Sequence, residues 1–314
     1  MVGSLDEPQS MYGLVAKNVK IAPDRSYAEF EMRPEARFHD GSKITPEDVI
    51  FTLNTLKKEG DPTYRISFEQ ISSAEKIGAN SVRFNFTDKT KRELPLIAAS
   101  MPILSKKYYA IHDFTKTTLE SPLGSGAYKV KEAIQGKTIV YERVKDYWAK
   151  DLPVSVGQYN FDNIRFDMYR DETVALEAFK AGEYDLREEN VARVWATGYE
   201  SHALKEGKFK KEVISHSVPQ GMQGFVFNIR KNKFSDRKVR EAIGLTLDFE
   251  WMNKTLFFGA YKRDNSFFLN TPYAATGLPD EKEKELLLAY KDELPPEILD
   301  KEFKLPVTDG SGNN

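Results

Sequence analysis

From Arg33 to Val49 the chain reads Arg-Pro-Glu-Ala-Arg-Phe-His-Asp-Gly-Ser-Lys-Ile-Thr-Pro-Glu-Asp-Val, and few backbones accept that order. Asp40-Gly41 supplies a tight turn, because glycine takes a positive φ at little steric cost. Thr45 is placed to cap a helix whose first position is Pro46, where the missing N–H costs nothing. Asp48, three residues on, completes a capping box with Asp in place of Glu. Upstream, Ala28, Phe30 and Met32 alternate with Tyr27, Glu29, Glu31 and Arg33, the period of a half-buried strand. Downstream, Val49, Leu53 and Leu56 share one helix face, and Gly60-Asp61-Pro62 ends it. The segment is therefore read as strand, turn and capped helix.

The same reading extends along the chain. Val82, Phe84 and Phe86 alternate with Arg83 and Asn85, so residues 20–120 form a mixed α+β layer. Ser121-Pro122-Leu123-Gly124-Ser125-Gly126 is a turn that opens a strand at Ala127–Val130, and a second strand is expected at 137–144, with Gly136 making the hairpin. Another strand is placed at 161–168. Asp171 caps a helix carrying Val174, Ala178 and Ala181, and Gly182 stops it. A short parallel strand is expected at Tyr184-Asp185-Leu186 and a strong one at residues 224–229. Ser235 is read as the cap of a helix bearing Val239, Ile243 and Leu247. Asp248 is read as the cap of a helix running toward Gly259, and a charged helix is placed at about 280–293.

Bulk properties remove several function classes. With 314 residues and 40% hydrophobic content the chain can bury a sizeable core in one or two domains. A net charge of −2 with 30% charged residues argues against a dedicated nucleic-acid binder. The absence of cysteine rules out disulfides, thiolate metal sites and cysteine nucleophiles. No apolar run is long enough to span a bilayer as a helix, and the first residues do not have the pattern of an export signal. His39, His112, His202 and His216 lack ligand spacing, so no metal is expected. Gly124-Ser125-Gly126 is neither a phosphate loop nor a nucleophile elbow. His39-Asp40 belongs to a turn rather than to an acid–base pair, and Trp148 is read as an anchor of its loop.

The ordered string from Arg33 to Val49 resembles the signature of the family 5 extracellular solute-binding proteins, the peptide-, nickel- and oligopeptide-binding subunits of ABC importers. The likeness continues through Ser121–Val130, Lys145-Asp146-Tyr147-Trp148 and Ala178–Asp185, and through Phe234–Ile243, which lacks the proline usual there. Arg187-Glu188-Glu189-Asn190, Trp195-Ala196-Thr197, Tyr199 and Gly221-Met222-Gln223-Gly224 are similar to the YejA-like branch of that family. The resemblance implies a type II periplasmic binding fold of α/β class, in which two lobes close on a ligand. It implies a periplasmic protein without cofactor or enzymatic activity, monomeric when complete, that passes peptides to a membrane permease driven by an ATPase. Members run longer at both ends, so the chain is expected to be a fragment. On that reading residues 1–120 are an α+β subdomain of lobe one, 121–222 its core and 223–314 the opening of lobe two.

The expected ligand contacts are Arg187, Glu188, Asn190, Trp195, Gln220, Met222 and Gln223. The charged loop follows an expected parallel strand, and α/β sheets place ligands at the carboxyl ends of their strands. Glutamine pairs with peptide backbone and methionine adapts to varied side chains. A plain solvated loop is the alternative reading of 187–190. With Arg187 and Glu188 holding peptide termini, removing both is expected to weaken binding and leave the melting temperature nearly unchanged. A metal chelate or sugar is the other ligand class, and a hydrolase the other function class, although no nucleophile–base set is visible.

Overall fold

The computed structural model describes residues 1–4 and 7–312, which divide into two units, Met1–Tyr169 and Arg170–Asn314. In the first unit a hairpin of β1 (Val2–Ser4) and β2 (Glu7–Tyr12) precedes a four-stranded antiparallel sheet. That sheet contains β3 (Ala16–Ile21), β4 (Tyr27–Met32), β5 (Ile71–Gly78) and β6 (Ser81–Phe86) in the order β3-β4-β6-β5. Ala28, Phe30 and Met32 of β4 and Val82, Phe84 and Phe86 of β6 all point into one core, as their alternation requires. Phe30 and Phe84 meet edge to face at 5.5 Å.

Helix α1 (Pro46–Glu59) covers this face with Val49, Leu53 and Leu56, each 4% exposed or less. Burying a side chain of this size contributes roughly 1.5–3 kcal/mol. Thr45 donates its backbone N–H and its hydroxyl to the Asp48 carboxylate at 2.8 and 2.7 Å, the expected cap. Asp48 also accepts from the Lys106 N–H at 2.8 Å, fixing the start of the short helix Lys106–Tyr109. Three further helices complete the layer: α2 (Pro62–Ser67), α3 (Leu94–Ala99) and α4 (Lys106–Tyr109).

A second antiparallel sheet follows, β7 (Tyr128–Ile134), β8 (Thr138–Arg143) and β9 (Asn163–Asp167), with its first hairpin at Gly136. The loop after β8 is pinned by Trp148, whose Nε1 donates to the Ser125 carbonyl at 3.2 Å. His39 is likewise structural: its Nε2 donates to the Gly126 carbonyl at 2.9 Å and ties two turns together.

The second unit is helical and loop-rich. It holds α5 (Glu172–Ala181), α6 (His202–Lys205), α7 (Asn232–Ser235), α8 (Arg237–Leu245), α9 (Phe249–Thr255) and α10 (Glu281–Leu288). Four sequence expectations are corrected here. Residues 184–186 and 224–229 form no strand: among the described residues none of the three sheets includes them, so they have no ladder partner. Phe225 and Val226 stand 93% and 96% exposed. The cap of α8 is Asp236 rather than Ser235, since the Asp236 carboxylate accepts the Lys238 N–H at 2.8 Å while Ser235 ends α7. The charged helix stops at Leu288, well short of Pro295; its start is held by a capping box between Asp280 and Glu283.

Candidate functional site

Around residues 187–199 the chain is shaped by α5. Asp171 accepts the N–H groups of Thr173 and Val174 at 3.0 and 2.9 Å, and the helix ends on Gly182 with φ +81°, a left-handed stop. The chain turns back, so the Tyr184 hydroxyl donates to the Ala175 carbonyl at 2.8 Å. Tyr184 also accepts from Arg187 Nη1 at 3.2 Å. The same guanidinium donates to Tyr199 Oη at 3.1 Å, Glu172 Oε2 at 2.9 Å and Glu189 Oε2 at 3.3 Å. Tyr199 in turn donates to Glu189 at 3.0 Å. The side chains of Arg187 and Glu189 are only 10% and 4% exposed. Burial works against the arginine's charge, but the bonds from Tyr184, Glu172 and Tyr199 outweigh it and hold its pKa above the ordinary arginine value. Burial first, and then the bond to Glu189, push the Tyr199 hydroxyl up.

Beside this network runs one π-helical turn, Val194–Gly198, a geometry that recurs at functional sites. At Gly198 the turn packs closely: an added Cβ would lie 2.9 Å from Val194 Cγ1 and 3.2 Å from Leu176 Cδ2, and those side chains would have to shift. Trp195 stands edge-on to Tyr199 with ring centres 6.0 Å apart, and Lys211 Nζ sits 4.7 Å from the centre of the Trp195 ring.

The second expected cluster lies along residues 261–269. Gln220 donates its N–H to the Leu269 carbonyl at 3.0 Å, and the Gln223 N–H donates to Asp264 Oδ2 at 2.9 Å. At the other end of the same stretch the Tyr261 hydroxyl lies 3.5 Å from the Asn190 carbonyl. Asn253 holds Tyr261 in place with two bonds, at 2.7 and 3.1 Å. Asn253 also lines an open recess of about 560 Å³ with Glu250, Lys254, Phe258 and Gly259. Met222 is 43% exposed. The segment 261–269 thus touches the backbone of Asn190, Gln223 and Gln220 in turn.

The seven expected residues therefore separate by environment. Arg187 is committed to its own network, Glu188 is exposed, and Trp195 is half-buried beneath Lys211. Asn190, Gln220 and Gln223 share the 261–269 stretch. Sequence reasoning missed Glu189, Lys211, Tyr261 and Asp264. Tyr261 and Asp264 fall in an irregular segment without periodicity, and nothing in the order of residues tells Glu189 from the exposed Glu188 beside it.

A smaller hollow of about 230 Å³ in the first unit is lined by Arg37, His39, Asp40, Asp146, Tyr147 and Trp148. Its polar groups are spent on one another: Arg37 donates to the Asp146 carbonyl at 2.7 Å, and His39 to Gly126. Burial, and the nearby Tyr159, push the Tyr147 hydroxyl up to about 12. Among the described residues no three His, Asp or Glu side chains are grouped to hold a metal ion, and no helix is long and apolar enough to cross a membrane.

Comparison with known proteins agrees with this architecture. The chain is 43% identical to the YejA protein of Escherichia coli K12 over 98% of its own length and 50% of that protein's. It is 40% identical to the peptidoglycan-binding protein YepA of Agrobacterium fabrum, over 99% of this chain and 52% of that one. A second A. fabrum relative, named "Probable peptide-binding protein YejA", is 37% identical over 98% and 51%. The chain spans about half the length of the curated relatives it matches. Among solved structures, Campylobacter jejuni NikZ in complex with Ni(L-His) superposes with a TM-score of 0.64 at 19% identity, over 90% of this chain and 55% of that one. Bacillus subtilis oligopeptide-binding protein AppA, in complex with a nonapeptide, gives 0.57 at 22%, over 88% and 54%. These neighbours show the mixed α/β fold of the type II periplasmic binding proteins. The family model of the bacterial extracellular solute-binding proteins, family 5, matches residues 10–307, and the chain belongs to that family.

Proposed function

We propose that the chain is the ligand-capturing part of a peptide-binding subunit of an ABC importer. It takes an extended oligopeptide along the 261–269 stretch, between the loop at 187–195 and the segment at 220–224, and hands it to a membrane permease. The protein works in the periplasm and performs no chemistry on the peptide. Family membership supports the importer role, and relatives named for peptide and peptidoglycan binding support the ligand class.

The observation that carries the reading is that the Asn190 carbonyl and the Gln220 and Gln223 N–H groups are all held against residues 261–269, which sets three amide side chains along one segment. Amide side chains offer both a donor and an acceptor, the pair that every peptide unit presents. Such a site accepts many sequences because it addresses backbone groups. Met222 beside it adapts to varied side chains.

Affinity capture from a defined peptide mixture, read by mass spectrometry, tests the proposal. Peptides of several residues should be retained and recovered intact. Retention of none, or recovery of cleaved products that vanish with one serine or aspartate substitution, would overturn it.

A further inference from the structure

Lys211 is not positioned like an ordinary surface lysine. Its ammonium lies 4.7 Å from the Trp195 ring centre and 5.9 Å from that of Tyr199, two aromatic faces set at 62° to each other. Beneath Tyr199 lies the network of Arg187, Glu172 and Glu189. One guanidinium against two carboxylates leaves that network with a net charge of −1. The excess carboxylate, Glu172, is 87% exposed, the buried Arg187–Glu189 pair is balanced, and Lys211 brings a further cation to the rings.

Lys211 is half-buried and follows Phe209, whose ring centre lies 5.1 Å from that of Phe179 and 6.2 Å from that of Tyr199, so the chain is anchored just before it and irregular after it. Residues 210–219 form no helix or strand, and Val213 and Ile214, two and three positions on, are 74% and 79% exposed. The aromatic wall is the opposite case. Tyr199 is 4% exposed, Trp195 sits on the π-helical turn, and Gly198 lets that turn pack against Leu176. A packed aromatic wall is thus paired with a lysine at the start of an irregular segment. A lone lysine–tryptophan contact at a partly exposed site is worth only about 0.5–1 kcal/mol, so an outside cation can compete for it.

We propose that the face of Trp195, backed by Tyr199 and Glu189, is a specificity site for a primary ammonium group of the ligand, and that Lys211 is its internal competitor. This rests on the peptide-binding reading above and deepens it, because a peptide carries such a group at its N-terminus or on a lysine-type side chain. When ligand arrives, Lys211 swings off the indole and the incoming ammonium takes its place, keeping the local charge balanced. Peptides without an ammonium gain nothing at this position.

The test has two arms, run at low salt on the full chain and on its Lys211→Met, Lys211→Gln and Lys211→Arg variants. In the first arm, n-butylammonium is titrated while the Trp195 indole N–H signal is followed by NMR, with neutral butyramide as control. Both Lys211→Met and Lys211→Gln should respond to butylammonium at about two- to fivefold lower concentration than wild type. Lys211→Arg should behave as wild type, and no variant should respond to butyramide. In the second arm, calorimetry compares pentaalanine, acetyl-pentaalanine and an acetylated pentapeptide with one central lysine. The two uncharged variants at 211 should gain affinity only for peptides with an ammonium, and the arm that gains tells whether the N-terminus or the side chain is read. Equal responses to butylammonium and butyramide, or no difference between Lys211→Met and wild type, would overturn the assignment. A butylammonium response with no binding of any peptide would uphold the cation site and instead defeat the peptide reading.

Discussion

At the residue scale Arg187 shows how far side-chain identity carries. Its place in a charged loop was readable from the sequence, and so was the chance that it meets a ligand. Its commitment to Tyr184, Tyr199, Glu172 and Glu189 was not, because those partners are brought together by the stop at Gly182 and the turn behind it. The commitment changes the expected behaviour of its variants. Removing the guanidinium leaves Glu189, 4% exposed, as an uncompensated buried charge, which typically costs about 3–5 kcal/mol. Arg187→Met should therefore lower the stability of residues 170–312 by about 3 kcal/mol in urea unfolding followed by circular dichroism. Glu188→Ala, at an exposed neighbour, should change it by no more than about 0.5 kcal/mol. The expectation that removing Arg187 and Glu188 together spares the melting temperature does not survive this geometry. Equal, negligible effects from both substitutions would mean that the network contributes no stability.

At the scale of elements, the sequence is most legible where structure is set by neighbours in the chain. The cap at Thr45, Pro46 and Asp48, the alternation of Phe30 and Phe84 and the helix between Asp171 and Gly182 all rest on local rules. Residues 184–186 and 224–229 carry strand-forming side chains, yet a strand exists only when another strand supplies hydrogen bonds, and composition does not report that. The 261–269 stretch was invisible for the same reason. Another contact of this kind fastens residues 306–312 to α9. Asp248 accepts from the Thr308 hydroxyl, from the Trp251 N–H at 2.9 Å and from the Gly312 N–H at 3.1 Å. Glu250 accepts from the Thr308 N–H at 3.1 Å, and its carboxylate lies 2.9 Å from the Thr308 hydroxyl, whose one proton it shares with Asp248. These bonds, from the Thr308 hydroxyl to Asp248 and from the Thr308 N–H to Glu250 foremost, hold both carboxyls below their ordinary values. A carboxyl with a depressed folded pKa stabilises above its unfolded pKa, and the contribution is lost as pH falls through the folded value. Acidification below the ordinary carboxylate range should therefore release residues 306–312 while β3–β6 stay paired, as seen in amide chemical shifts. Release on raising the pH instead, or none on acidification, would contradict the assignment.

At the scale of the whole molecule the two units differ in how much they bury. The first has a continuous core from Ala16 to Met101, built on Phe38, Leu53, Ile71, Phe84 and Leu94, each 2% exposed or less. Among the described residues of the second, the buried apolar side chains are Ala175, Leu176, Ala192 and Tyr199, while Phe225, Val226 and Phe267 are 93%, 96% and 76% exposed. Opening free energy follows buried apolar contact and protected backbone hydrogen bonds. Hydrogen exchange should accordingly be slow at residues 27–56 and fast at 225–257. Equal protection of the two stretches in a monomer would count against this account.

The central claim, that peptide lies along the stretch bordered by Asn190, Gln220 and Gln223, is tested most directly by calorimetric titration of a captured peptide into the chain and its Asn190→Ala, Gln220→Ala, Gln223→Ala variant. Each side-chain hydrogen bond is worth about 0.5–1.5 kcal/mol net, so affinity should fall at least about tenfold with the unfolding midpoint unchanged. Wild-type affinity in that variant would contradict the claim.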